Sequence, residues 1–401
     1  MPRYNGGFIG TDGLDAPDPP TDVTPTAGNA QVSVAFTAPT DTGTSAITGF
    51  VAQVASSGDN YSAGSNTGTS SPIVISSLSN GTSYTAKVWA INAYGTSAPS
   101  DASSSFSPAA PRALVFGVGS GRKTNIDVFV IESTGNASDF GDLITAVIGG
   151  TSVSSSTRGL SVGGSTSSND TDTIEFVTIA STGSGSDFGN LTVSRAYFGG
   201  GSNSTRGVFF GGYSDNAGGV RYNTIDYVTI ASVGNATDFG DMSASFNSNG
   251  ATASPTRAVQ AGGYDGSNRN QIEYVTIANT GNTTDFGDLT VARGSLVGCS
   301  SDTRGLFAFT GSANIIDYIT IASTGNASDF GDLSVSRFDG GATTNNTRAV
   351  FCGGNATTGN TPTNVIDFVT IASTGDASDF GDLTASGQVQ GACGSDHGGL
   401  Q

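Results

Sequence analysis

The sequence predicts an all-β protein: a small sandwich followed by six four-stranded sheets that a C-terminal strand closes into a circle. Three observations carry that expectation. The composition is rich in Gly, Ser, Thr, Asn and Asp, with only 12% charged residues and no long helical periodicity, which is the vocabulary of turns and short strands. One eleven-residue phrase, Ser-Thr-Gly-Asn-Ala-Ser-Asp-Phe-Gly-Asp-Leu, occupies residues 133–143 and returns unaltered at 323–333, with near-copies beginning at Ser181, Ser232, Asn279 and Ser373. Finally, residues 381–401 align without gaps on 287–307, pairing Cys393 with Cys299.

The bulk numbers set the limits. A chain of 401 residues with 36% hydrophobic content is long enough for two or three domains with true cores. Its net charge of −18 argues against nucleic acid, whose phosphates demand clustered Lys and Arg. Acidity of this kind serves solubility, with cation attraction as a lesser role. The three cysteines, Cys299, Cys352 and Cys393, have no Cys-x-x-Cys spacing, and an odd, scattered set gives little support for disulfides. The first twenty residues contain no apolar run, so no signal peptide is expected. No segment approaches the roughly 18 apolar residues of a membrane span.

Residues 1–18 read as a flexible anchoring arm. Tyr4, Phe8 and Ile9 stand among glycines, too few apolar groups to fold alone but enough to order against a partner, and they are the candidate partner-binding residues. From about 19 to 109, stretches 32–36 and 84–91 alternate with period two, as sandwich strands do. The stretches PPTDVTPTAGNAQVSVAFTAP, ITGFVAQV and LSNGTSYTAKVWAINAYGTSAPS resemble a fibronectin type III domain. Leu78 and Tyr84 have the spacing of that family's tyrosine corner, and Phe36 stands where the family usually has tryptophan, so a variant core is expected. The resemblance implies a spacer, and no Arg-Gly-Asp is present to suggest adhesion.

Residues 110–401 hold the repeat. Marker arginines fall at Arg112, Arg158, Arg206, Arg257, Arg304 and Arg348. Acids that follow an isoleucine fall at Asp127, Glu175, Asp226, Glu273, Asp317 and Asp367, and the Asp-Phe-Gly aspartates at Asp139, Asp187, Asp238, Asp285, Asp329 and Asp379. Acid to Asp-Phe-Gly aspartate is always 12 residues, and that aspartate to the next arginine position always 19. Only the arginine-to-acid distance varies: 15, 17, 20, 16, 13 and 19. One loop per unit is therefore free in length while the rest is rigid, as in a repeating blade. The period, with a Gly-Gly closing the second strand, resembles a kelch-type β-propeller of six blades. The first unit lacks an inner strand and the chain ends on an extra one, so residues 388–395 should complete the sheet begun at Arg112 and remove exposed edges.

The repeated phrase is architectural. Asp-Phe-Gly also spells the magnesium motif of protein kinases, but the chain has two lysines and one histidine, His397, and lacks the partner motifs. The phrase should join third and fourth strands, with Gly, Asn and Asp supplying turn geometry and Phe plugging the gap between sheets. Paired aspartates such as Asp139 and Asp142 have a calcium reading, but carboxylates in turns more often accept backbone N–H groups, so no metal or cofactor is assigned. The marker arginines and the six acids are expected to form one buried ion pair per unit, Arg206 with Asp226 for example, because the guanidinium fork suits a carboxylate. Arg195, Arg293 and Arg337 occupy a further fixed repeat position.

No enzyme is expected. Kelch-like oxidases use two histidines for copper, and the sialidase Asp-box differs at its Ser/Thr position. The candidate ligand-binding residues sit in the variable loops: Tyr213, Asp215, Arg221 and Tyr222 in the third unit, and Tyr264, Asp265, Asn268 and Arg269 in the fourth. Tyrosines beside Asp, Asn and Arg offer stacking faces and hydrogen bonds suited to sugars. The repeats and the leader MPRYNGGFIGTDG resemble tail-fibre or surface-appendage proteins of phages of marine bacteria, cyanophages especially. That resemblance implies a virion protein released by lysis, attached through its N-terminal arm to other capsid or tail proteins. It would display its propeller to a host-surface glycan, with homo-oligomerisation left open and no nucleic-acid or membrane partner. The alternatives are a bacterial secreted or surface glycan-binding protein and a glycoside-active enzyme built on a carboxylate pair.

Overall fold

The computed structural model describes residues 15–310 and 313–395. Its regular structure is strand, apart from one 3-10 turn at Thr358–Asn360. The chain divides into two compact units at the Ala110–Pro111 boundary.

The first unit is a sandwich of two three-stranded sheets. One holds Thr21–Gly28, Gln31–Thr37 and Ile73–Ser76; the other holds Gly64–Gly68, Ile47–Ala55 and Thr85–Asn92. Alternation decides which residues go in: Ala86, Val88 and Ala90 are buried while Lys87 and Trp89 between them face outward. Phe36 fills the core against Phe50, ring centres 4.8 Å apart. The tyrosine corner forms as expected, with buried Leu78 beside it and the Tyr84 hydroxyl accepting the Ser79 N–H at 3.1 Å. Strand Thr85–Asn92 is covered by a segment that repeats serine every third residue. Ser97, Ser100 and Ser103 accept the N–H groups of Ala90, Val88 and Ala86 on their hydroxyl oxygens. An edge so occupied cannot template a foreign strand.

The second unit contains six four-stranded antiparallel sheets. The second sheet shows the pattern: an inner strand Thr151–Ser154, then Arg158–Ser165, Asp170–Thr178 and an outer strand Ser186–Asn190. The first sheet takes its inner strand from the other end of the chain, Gly391–Gly394 pairing with Arg112–Phe116 and Cys393 standing opposite Leu114. Inner strands lie side by side in the order Gly391–Gly394, Thr151–Ser154, Gly199–Ser202, Gly250–Ala253, Val297–Ser300 and Gly341–Thr344, and the last lies beside the first.

The repeated phrase is where one sheet grips the next. Gly183 and Gly185, in the second sheet's copy, donate their N–H groups to the carbonyls of Phe140 and Asp142 in the first, at 3.0 and 2.7 Å. The same bonds recur along the unit, and Gly135 of the first sheet donates to Phe380 of the sixth at 2.8 Å. Gly141 must lack a side chain here, because a Cβ would run into the Gly183 backbone and its φ is +151°. Phe140 is buried with Val177 and Ile179 of the second sheet, so the aromatic ring does plug the gap between sheets.

The expected pairing of marker arginines with acids does not form. Antiparallel register puts Arg206 opposite Thr229 and Asp226 opposite Phe209, too far along the strand to meet. Arg206 instead stacks its guanidinium over Tyr227, 4.7 Å from the ring centre. It donates from Nη1 to the Ile277 and Ala278 carbonyls of the next sheet at 2.8 and 3.1 Å. Arg112, Arg158, Arg257, Arg304 and Arg348 do the same to the sheet that follows theirs, Arg348 reaching Ile131 of the first. Five of the six acids are held by residues just after the repeated phrase of the sheet before their own, whereas Glu273 is held by Gln260, Gln271 and Thr283 of its own sheet. Asp226, Asp317 and Asp367 pair with buried Arg195, Arg293 and Arg337 at 3.0, 2.8 and 2.9 Å. Hydroxyls of Thr192, Thr290 and Ser334 donate to the same three carboxylates. Where Val147 or Phe246 takes the arginine position, the following acid is the longer Glu175 or Glu273, and Glu175 accepts the N–H groups of Ile144 and Thr145. Asp127, fully buried, has Gly387 at that position and is held by the Thr384 N–H and hydroxyl at 2.8 and 2.6 Å.

Candidate ligand-binding surface

The loops between second and third strands carry the variable sequence, and those of the third and fourth sheets form one surface. In the third sheet the chain turns out of Arg206–Phe210 through Gly211, whose φ is +65° and whose absent Cβ would meet the Phe246 carbonyl. It then makes a small hairpin, Tyr213–Ser214 against Val220–Arg221. In the fourth sheet, strands Arg257–Tyr264 and Asn268–Thr276 meet directly in a tight turn. Asn247, in the link between these sheets, exchanges backbone hydrogen bonds with Tyr264 at 3.1 and 2.7 Å.

Arg221 sits between two tyrosines. Its guanidinium carbon lies 5.8 Å from the Tyr213 ring centre and 5.0 Å from that of Tyr264. Its Nε donates to Asn247 Oδ1 at 3.0 Å, which fixes the plane of the fork. The Tyr213 hydroxyl donates to Asp215 at 2.8 Å, and that bond pushes the phenol's pKa up. Asp215 is placed from below, its N–H donating to the buried carboxylate of Asp170 in the second sheet at 2.7 Å. Tyr264 is 38% exposed, so one face of the stack is open to a ligand.

The structure therefore joins Tyr213, Asp215, Arg221 and Tyr264. Asp265 and Arg269 pair with each other at 2.5 Å, the guanidinium holding the carboxyl below its ordinary range. Asn268 is exposed in the same turn. Tyr222 does not join the stack; it lies close enough to buried Arg195 to act on it electrostatically. Asn247 and Asp170, which orient the site, have no signal in the sequence, since one lies in a link and the other in a neighbouring unit's loop. Tyr4, Phe8 and Ile9 lie outside the described residues, as does His397.

A cavity of about 120 Å³ is lined by the beginnings of all six inner strands. Tyr197, Ser248, Ser295 and Asp339 stand at its rim in left-handed backbone conformations, φ +57°, +59°, +60° and +55°. Asp339 accepts a hydrogen bond from Gln388 at 2.8 Å, and burial pushes its pKa up. The Tyr197 hydroxyl is pushed up by burial and by the Asp339 charge. Among the described residues no three His, Cys, Asp or Glu side chains gather as a metal-ligand set. Cys299, Cys352 and Cys393 are buried and unpaired, their thiols pushed up by burial. Among the described residues no helix is long and apolar enough to cross a membrane.

No curated protein matches the chain. Residues 18–106 match the Fibronectin type III domain family, so the chain is an all-β protein with an N-terminal fibronectin type III sandwich.

Proposed function

We propose that the six sheets are blades of a kelch-like β-propeller closed by the C-terminal strand, and that the protein is a non-enzymatic bacteriophage appendage binding a host-surface glycan. The order of inner strands, returning to its start, supports the propeller. So do the phrase contacts, the arginine contacts and the acid contacts, each of which also runs from the sixth sheet to the first. The leader and repeat style support the virion setting, in which residues 1–18 anchor the chain and the fibronectin domain is a spacer.

The observation that carries the binding role is the Tyr213–Arg221–Tyr264 stack, assembled from loops whose length alone is free. Loops on a rigid scaffold are where recognition is placed, and aromatic faces beside fixed polar groups suit sugar rings. Tyr264→Ala and Tyr222→Ala, with an unchanged melting temperature, should weaken adsorption to host cells, the first more than the second. Unchanged adsorption, with loss on substitution in the fibronectin domain, would move the role to the other module. Deleting residues 1–18 should abolish incorporation into particles; full incorporation of the shortened chain would refute the anchor.

A further inference from the structure

We infer that Arg221 reads a carboxylate, and that the sugar selected by this surface is a uronic acid; the inference rests on the glycan reading above. Every other described arginine is engaged through its terminal nitrogens. The six marker arginines donate from their terminal nitrogens to carbonyls, and Arg195, Arg293 and Arg337 meet buried aspartates. Arg122 donates to Ser165 and Arg269 is spent on Asp265. Arg221 alone among the described arginines has neither terminal nitrogen on a protein acceptor, its one bond being from Nε to Asn247.

A guanidinium clamped at Nε and stacked on two rings is already ordered before ligand arrives, so little rotamer entropy remains to be lost. The two free amino groups form the edge that takes a carboxylate through paired, charge-assisted bonds. The neighbouring carboxylates do not compete for it: Asp215 is engaged by Tyr213 and Asp265 by Arg269. A net charge of −18 repels an anion at long range, but screening shortens that reach to about 10 Å at 0.1 M salt. Selection is then made at contact, by the fork on the carboxylate and by Tyr264 under the ring.

The test is calorimetry in 0.15 M salt with oligosaccharides of galacturonate, guluronate and glucuronate, each beside its methyl ester, which keeps the ring and removes the charge. At least one acid should bind about tenfold or more tighter than its ester. Arg221→Gln should weaken the acid by about 10- to 100-fold, the value of a charge-assisted bond, and leave the ester unchanged. Arg221→Lys, which keeps the charge but not the fork, should fall between. Melting temperatures of both variants identify any loss of fold, and the acid-to-ester ratio of the wild type stands whether or not they fold. Equal binding of acid and ester, or no binding of any acid, overturns the inference and leaves Arg221 a strut between two loops. If a neutral glycan then still binds and Tyr264→Ala abolishes it, the attachment reading survives alone; if no glycan responds to Tyr264→Ala, both fall.

Discussion

Ser395 accepts the backbone N–H of Arg112 on its hydroxyl oxygen at 2.9 Å, across 283 positions of sequence. In the other five sheets the same acceptor comes from the turn just before the arginine: Ser155, Asn203, Ser254, Ser301 and Asn345. The last strand thus reproduces a local turn contact from the far end of the chain. Truncation before Gln388 should strip it and the Gly391–Gly394 pairing together. Early melting or aggregation is expected, and a truncated chain that melts with the full one would show that the strand contributes nothing.

Arg337 is buried, and donates to Val365 O, Phe351 O and Asp367 at 2.8, 3.1 and 2.9 Å. Arg337→Ala would leave Asp367 charged and unpaired, at a cost of about 3–5 kcal/mol. Arg337→Ala with Asp367→Ala should cost clearly less than the sum of the two. For Arg206 and Asp226, which do not touch, the same cycle in chemical denaturation should be additive within about 0.5 kcal/mol.

Asp127 lacks the arginine that Asp226, Asp317 and Asp367 have, and burial raises its pKa above the ordinary 3.8. The native state therefore holds this proton to higher pH than the unfolded chain does. Between the two pKa values the native form binds more protons, so stability falls as pH rises through that window and is flat above it. Asp127→Asn should remove this contribution. The difference between the wild-type and variant stability curves should grow against the wild type as pH rises from about 4, in the ordinary aspartate range; parallel curves would contradict the assignment.

Gly240→Ala and Gly183→Ala separate contact from chain entropy. Gly240 has φ +148° and the Gly281 backbone where a Cβ would go, whereas nothing lies within 4 Å at Gly183. The first substitution should destabilise by about 2 kcal/mol or more, and the second should stay within about 1 kcal/mol of the parent. Equal effects in a thermal melt would mean that the close approach of the two sheets is not what selects glycine.

Much of this architecture was legible because it is written at fixed spacing: strand order, turn phrase and the C-terminal strand all follow from distances that never vary. The partners of the arginines did not follow, because spacing along the chain does not reveal register across it. Arg206 and Asp226 belong to adjacent strands but stand opposite Thr229 and Phe209. A signal was present in the choice between Asp and Glu. Aspartate follows Arg195, Arg293 and Arg337, and glutamate follows Val147 and Phe246, while Asp127 follows Gly387 and is held by Thr384 instead. The loops of the candidate surface were legible as variable, tyrosine-bearing segments. Their meeting was not, because Asn247 and Asp170 act from outside them.

The grip between sheets has a direction. Each sheet sends its arginine forward to a carbonyl of the next and receives N–H groups of the next sheet's phrase on its own outer strand. Front and back surfaces are therefore complementary to each other and not to themselves, the relation between subunits of a cyclic oligomer. Covalent continuity then matters mainly by keeping the pieces at high local concentration. A chain cut in any link would yield fragments that each end in one unsatisfied front and one unsatisfied back. In the proposed propeller, rejoining in the original order satisfies every front and back at once, which an open chain of fragments cannot do.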